Sequence, residues 1–313
     1  MKLTKLSKIA ASLVLVGAAA QAVAGPVYIN RGASIFGDGK TGQITQLGLT
    51  GSLATSIYEP VVPGGPIGPG AKIYDTNIKS ILNSFGVLGT TTGSSINGTP
   101  GVTIKDTASS GQRNIDALNP LDPLTDDTEG FNVPFAGGWG MSFNYYFTGG
   151  ISAGGTPYFN GGYFDLFYVS GDANNGKQLL HMNVKNSDIA ISNLDILGTF
   201  TFDFNGDGDI TDANETADPF VAGFWNDILS GKTFAEIEGD SGVLSWSLDT
   251  NVDPPIPTPS QLRAFVGADG KTRYVRQTQL DSSIDFEVPE PGTLSLLGLS
   301  MLGLAAGARR KMK

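Results

Sequence analysis

No cysteine occurs in the 313 residues, so disulfides, thiol chemistry and Cys-ligated zinc are excluded. His181 is the only histidine, which removes multi-histidine metal sites and allows at most one histidine-based triad. Positive charge is scarce: 20 Lys and Arg stand against 30 Asp and Glu, a formal net charge of −10. Seven of those cations lie in the terminal segments, so residues 25–287 hold 13 basic and 29 acidic side chains. Phosphate recognition needs clustered Lys and Arg, and nucleic acid is therefore not an expected partner. An acidic surface suits divalent cations or solubility within a polymer matrix.

What the chain has in abundance is glycine, 43 residues, with 17 prolines. So many turn formers point to an antiparallel, mainly β protein, and no alternation of strands with helices suggests a parallel sheet. Strands are expected at Val27–Asn30, Gln43–Leu49, Lys177–Val184, Ile189–Asp203 and Val243–Leu248. Between Phe131 and Val169, aromatics alternate with small or polar residues. Phe143, Tyr145 and Phe147 fall on one side of a strand, and Gly-Gly pairs at 149–150, 154–155 and 161–162 bound the segments. Aromatics on a strand are more often core than surface, although exposed ones stack on sugar rings. Leu262–Val266 and Thr272–Gln279 flank Asp269-Gly270, a hairpin signal.

Helices are short and few. Asn77 precedes Ile78, Ile81, Leu82 and Phe85 at helical spacing and Gly86 closes the run, predicting two turns with Asn77 as cap. Asp218-Pro219 opens a second helix through Leu229, and Thr233–Glu236 forms a capping box for a third. The expected body is an antiparallel β-sandwich-like unit over residues 25–287.

Both ends carry targeting features. Lys2, Lys5 and Lys8, the apolar Ile9–Ala20 and the small residues Ala22-Val23-Ala24 before Gly25 read as a secretory signal helix, residues 1–24, cleaved between Ala24 and Gly25. At the other end, residues 288–313, Pro289-Glu290-Pro291 is followed by Gly292–Ala308, 17 residues without charge, and then by Arg309, Arg310, Lys311 and Lys313. As a helix that run is ~25 Å long at ~1.5 Å per residue, the lower limit for a transmembrane span, and the basic cluster marks a cytoplasmic end. The Pro-Glu-Pro motif, the Leu/Gly/Ala-rich span and the basic terminus resemble the PEP-CTERM sorting signal of Gram-negative bacteria. The resemblance implies processing by exosortase, a transient inner-membrane anchor, and delivery to the cell surface or extracellular matrix. It also implies an association with exopolysaccharide, biofilm or floc.

The sharpest local chemistry is the run from Asp203 to Glu215. Asp203, Asn205, Asp207 and Asp209, with Gly208 at the sixth position and Ile210 at the eighth, resemble the calcium loops of EF-hand and dockerin-type proteins. The twelfth position is Asn214, so Asp212 or Glu215 is expected to supply the last oxygens; the bland alternative is an acidic turn without an ion. Two nucleophile look-alikes are weaker. Gly150-Ile-Ser152-Ala-Gly154 lacks a following helix, and Gly239-Asp240-Ser241-Gly242 continues into Val243 rather than Gly-Pro. His181, in an apolar context, is expected to be a packed or edge residue. No catalytic residue is assigned. The expectation is a non-enzymatic structural or adhesive protein, with calcium as its ion. A secreted carbohydrate-binding module or carboxylate-based hydrolase is the alternative.

Overall fold

The computed structural model describes residues 26–32, 39–44, 46–87, 122–123, 139–190, 193–250, 257 and 261–288. Signal residues Ala24 and Gly25 and sorting residues Pro289, Glu290 and Pro291 lie outside them.

The strands in chain order are β1 (Val27–Ile29), β2 (Leu47–Glu59), β3 (Lys72–Thr76), β4 (Asp122–Pro123), β5 (Trp139–Ile151), β6 (Pro157–Ser170), β7 (Gln178–Ala190), β8 (Asn193–Thr201), β9 (Trp225–Asp227), β10 (Leu244–Thr250), β11 (Arg263–Val266) and β12 (Thr272–Glu287). Among the described residues three helices join them: α1 (Lys79–Phe85), α2 (Pro219–Phe224) and α3 (Phe234–Gly239). The mainly β, antiparallel class is as the composition indicates. Instead of stacking as two layers, the main sheet curls on itself. Its order runs β12-β10-β8-β7-β6-β5-β3-β2, and β12 pairs again with β2, so each of these strands has a neighbour on both sides. The result is an up-and-down antiparallel barrel without a free edge along that ring.

Period-2 alternation sorts the side chains between interior and exterior. Cross-strand partners keep the same side all the way round: Ser56 opposite Asp75, Phe143 opposite Leu166, Met182 opposite Phe200, Trp246 opposite Phe286, and Arg276 opposite Ser56. Curvature is supplied at bulges between Thr148 and Gly149, Leu166 and Phe167, Val184 and Asn186, and Leu280 and Ser282. The closing seam is held outside the ladder as well. The Arg273 guanidinium, 4 % exposed, meets Glu59 at 2.6 Å and Asp269 at 2.7 Å, joining the end of β2 to the β11–β12 hairpin.

One pole of the barrel is plugged. The residues between β8 and β10, with β1, carry Phe224, Trp225 and Phe234 onto Trp139, Tyr168 and Phe286; Trp225 and Phe286 have ring centroids 5.0 Å apart. Several expectations shift here. The second helix stops at Phe224 rather than Leu229, because Trp225–Asp227 turns extended and pairs with β1. Asp218 does cap it, accepting from Phe220 N, and the Thr233–Glu236 capping box forms as expected. Asn77 is not the cap of α1. Its side chain bonds the backbone of β5, donating to Phe143 O and accepting from Tyr145 N, and so extends β3 by one residue's worth of ladder. Residues Ile189 and Ala190, expected at the start of a new strand, complete β7.

Candidate functional site

The other pole holds a cavity of about 50 Å³ inside the barrel. Its wall is polar on β12, β2, β3 and β5, through Arg276, Ser56, Tyr58, Asp75 and Tyr145, and mainly apolar on β6 and β8, through Phe159, Leu194 and Ile196. At ~10–15 Å³ per water position it has room for roughly three to five waters, and it is well below the ~150 Å³ that accepts benzene. Asp75 is its centre. One carboxylate oxygen accepts from Ser56 Oγ at 2.5 Å and the other from Tyr145 Oη at 2.7 Å. Burial drives the Asp75 pKa up, and those two hydroxyls with the Arg276 charge only partly offset it. Burial and the neighbouring Asp75 raise the Tyr145 phenol well above its ordinary value. The arrangement joins Asp75, Ser56 and Tyr145 through shared hydrogen bonds, in a cavity with room for water. Sequence reading placed Tyr145 on a strand face but found neither Asp75 nor Arg276, since their meeting depends on the β12–β2 closure.

A second polar group lies on the outer wall of β6 and β7. His181 Nδ1 and Asp165 Oδ1 are 2.6 Å apart, and Gln178 Nε2 donates to the same oxygen at 3.0 Å. Burial would lower the His181 pKa, but the Asp165 hydrogen bond and charge outweigh it and raise the value above the ordinary one. Burial likewise raises Asp165. His181 is thus hydrogen-bonded to Asp165 on a central strand rather than lying at an edge. The tyrosines Tyr146 and Tyr163 continue this outer row, with centroids of Tyr163 and His181 at 5.6 Å. Phe143, Tyr145, Phe147, Phe164 and Tyr168 instead point into the core.

Neither serine look-alike belongs to this group. Ser152 sits in the β5–β6 turn, where its hydroxyl accepts from Thr156 N. Ser241 follows α3 with a left-handed φ of 65°. Its backbone N–H donates to Glu238 O, so it serves as a helix terminator.

The acidic loop after β8 is built from side chain-to-backbone turns. Asp203 accepts from Gly206 N and Asp207 N on one oxygen and from Gly208 N on the other. Asn205, Asp207 and Asp209 each accept from the amide two residues on, and Asn205 Nδ2 donates to Asp212 at 2.8 Å. The Thr211 hydroxyl and amide lower the Asp209 pKa. Glu215 is fully buried, accepting from Phe204 N at 2.8 Å, and so anchors the loop base. Glu238, which sequence reading missed, holds the loop's entry from α3 through Thr201 Oγ1 and Phe202 N. Burial raises the Glu238 pKa, and the charges of Asp203 and Glu215 add to the rise. Among the described residues no group of three or more His, Asp or Glu side chains is gathered so as to hold a metal ion.

The end of the chain joins this body without a spacer. Val288, packed into the core at 4 % exposure, is the last described residue, and Pro289 follows it. Among the described residues no helix is long and apolar enough to cross a membrane. No curated protein and no solved structure matches the chain. Residues 287–311 do match the family model of the PEP-CTERM protein-sorting motif. This barrel therefore carries a PEP-CTERM protein-sorting motif directly after its last strand, and the motif implies an exported cell-surface protein processed by exosortase.

Proposed function

We propose that the exported barrel is a structural or adhesive component of an exopolysaccharide-rich extracellular matrix, acting by binding rather than by catalysis. The observation that carries this reading is the sorting motif attached to an acidic, cysteine-free body. A body with 29 acidic against 13 basic residues and no cysteine stays dispersed in a hydrated polymer and needs no oxidising folding machinery. Deleting the gene should reduce aggregation and matrix retention of surface protein. Unchanged aggregation and unchanged matrix protein would refute the role.

Carbohydrate binding is a second reading, favoured by the half-buried outer row of Tyr146, Tyr163 and His181. Tyrosine faces beside polar groups suit sugar rings. The secreted body should then be retained on immobilised exopolysaccharide and released by Tyr163→Ala; equal retention of both proteins removes this face from consideration.

Calcium at the loop belongs to the same proposal, with Asp203, Asn205, Asp207, Asp209, Asp212 and Glu215 as the oxygen donors. An ion has to compete with the amide bonds these oxygens already accept, so affinity belongs in the ~10⁻⁴–10⁻³ M range of extracellular modules. Calorimetric titration of the body with Ca²⁺ should release or absorb heat that Asp203→Ala with Asp207→Ala abolishes. A flat wild-type trace ends the calcium reading.

A further inference from the structure

We infer that the plugged pole of the barrel faces the membrane while the tail is attached, with Ile228, Leu229 and Val243 touching the lipid interface and the cavity mouth directed away. The inference rests on the sorting-tail reading and extends it to the body, whose orientation that reading leaves open.

Strand direction fixes which pole the tail leaves from. β12 begins beside the cavity, where Tyr274 pairs with Tyr58 and Arg276 with Ser56. It ends at the plug, where Phe286 packs on Trp225 and Phe234 and Glu287 pairs with Ser245. Four residues, Pro289 to Gly292, separate buried Val288 from Thr293 and the Leu-rich stretch after it. A fully extended chain covers at most ~3.3–3.6 Å per residue, so the gap is no more than about 14 Å. Two of the four are prolines, a residue type that favours extended backbone.

The other end of the described chain leaves from the same place. The carbonyl of Pro26 accepts from Ile228 N at 3.1 Å, directly beside the plug. The described chain therefore also begins at this pole.

The surface there suits shallow contact with lipid. Ile228, Leu229 and Val243 are 41, 60 and 63 % exposed, apolar tips that cost free energy in water. Asp207, Asp209 and Asp212, in the exposed loop of the same pole, oppose deep immersion near anionic headgroups. The tail supplies the affinity, and its exit at the plug sets the orientation. Val61 and Val62 at the cavity pole are as exposed as these tips, so the tips alone would not choose between the poles.

The absence of cysteine makes the test direct. Val62→Cys, in the loop between β2 and β3 beside the cavity, and Leu229→Cys and Val243→Cys at the plug each introduce a single thiol into the full, uncleaved chain. After labelling with an environment-sensitive fluorophore and reconstitution into phosphatidylcholine vesicles carrying a lipid-borne quencher, positions 229 and 243 should be quenched severalfold more than 62. Truncation after Val288 should abolish quenching at all three. Equal quenching at 62 and 229 in vesicle-bound protein overturns the orientation but leaves the tail reading standing. Failure of the full chain to bind vesicles overturns both. If Leu229→Cys does not fold, Ile228→Cys provides the same comparison, and vesicles with phosphatidylglycerol added should weaken the contrast through the loop carboxylates.

Discussion

At the scale of single residues, the molecule places several titratable groups where they hold protons more tightly than they do in water. His181 and Asp165 are both shifted upward, the histidine by its partner against the effect of burial, the carboxyl by burial itself. A folded state that binds a proton more tightly than the unfolded chain gains stability at low pH and loses it as pH rises through the folded pKa. The His181 contribution is therefore complete below the unfolded histidine value of ~6.5 and fades above the folded one. His181→Gln should cost about 1–2 kcal/mol at pH 6, the lower part of the range for charged hydrogen bonds given partial exposure. At pH 9 the loss should be much smaller; urea melts at the two pH values check this, and equal losses would show that the imidazole acts only by packing. Tyr145→Phe probes the cavity with the opposite trend. It removes a donor to the charged form of Asp75, so its cost, ~1–3 kcal/mol, should be full at high pH and shrink as falling pH protonates the carboxyl. A cost independent of pH would mean that Asp75 does not titrate in the folded protein's accessible range.

At the scale of elements, glycines at the bulges let the sheet bend, and their requirement differs from that of ordinary turn glycines. A Cβ on Gly162, whose φ is +104°, would come within 1.9 Å of Tyr146 O, a backbone atom of the neighbouring strand. Gly155 also has a positive φ, +83°, but nothing lies within 4 Å of its Cβ position. Gly155→Ala should thus cost about 1 kcal/mol of backbone strain, and Gly162→Ala ~3 kcal/mol or more, because the β5–β6 ladder itself must part. Thermal melts showing equal costs would mean that the sheet adapts freely there. This difference explains what could be read from the sequence. Period-2 aromatics placed Phe143, Tyr145 and Phe147 together on one side of a strand, and local turn chemistry marked Gly86, Thr233 and Asp269-Gly270, since each is decided within a few residues. The roles of Asn77 and Asp75 were hidden, because their partners lie in β5 and β12, and only strand register brings them together. The second helix was read too long for a similar reason: pairing of Trp225–Asp227 with β1, about 200 residues away in sequence, outweighs local helical propensity.

At the scale of the whole molecule, closure and processing make competing demands on the same strand. β12 pairs with β11 and β10 on one side and β2 on the other, so it is the staple that turns a curled sheet into a barrel. Its final residues are not expendable. Ser282–Glu287 form the whole of the pairing with β10, and Ile284, Phe286 and Val288 are buried in the main core. Deleting three buried side chains of this size, each worth roughly 2–5 kcal/mol when truncated, exceeds the ~5–15 kcal/mol that a domain possesses once the ladder bonds are lost with them. The ring of strand pairings is complete at Glu287, so its closure requires no residue beyond Val288. Exosortase processing can therefore spare the fold only if the scissile bond lies on the C-terminal side of Val288. Mass spectrometry of the mature surface protein should find Val288 retained and residues beyond the Pro289–Pro291 region absent. In the test tube, a chain ending at Val288 should melt within a few degrees of the full-length protein, whereas one ending at Asp281 should be unfolded or aggregated. A mature product lacking Phe286 but still cooperatively folded would show that β2 and β10 are held together by something other than β12.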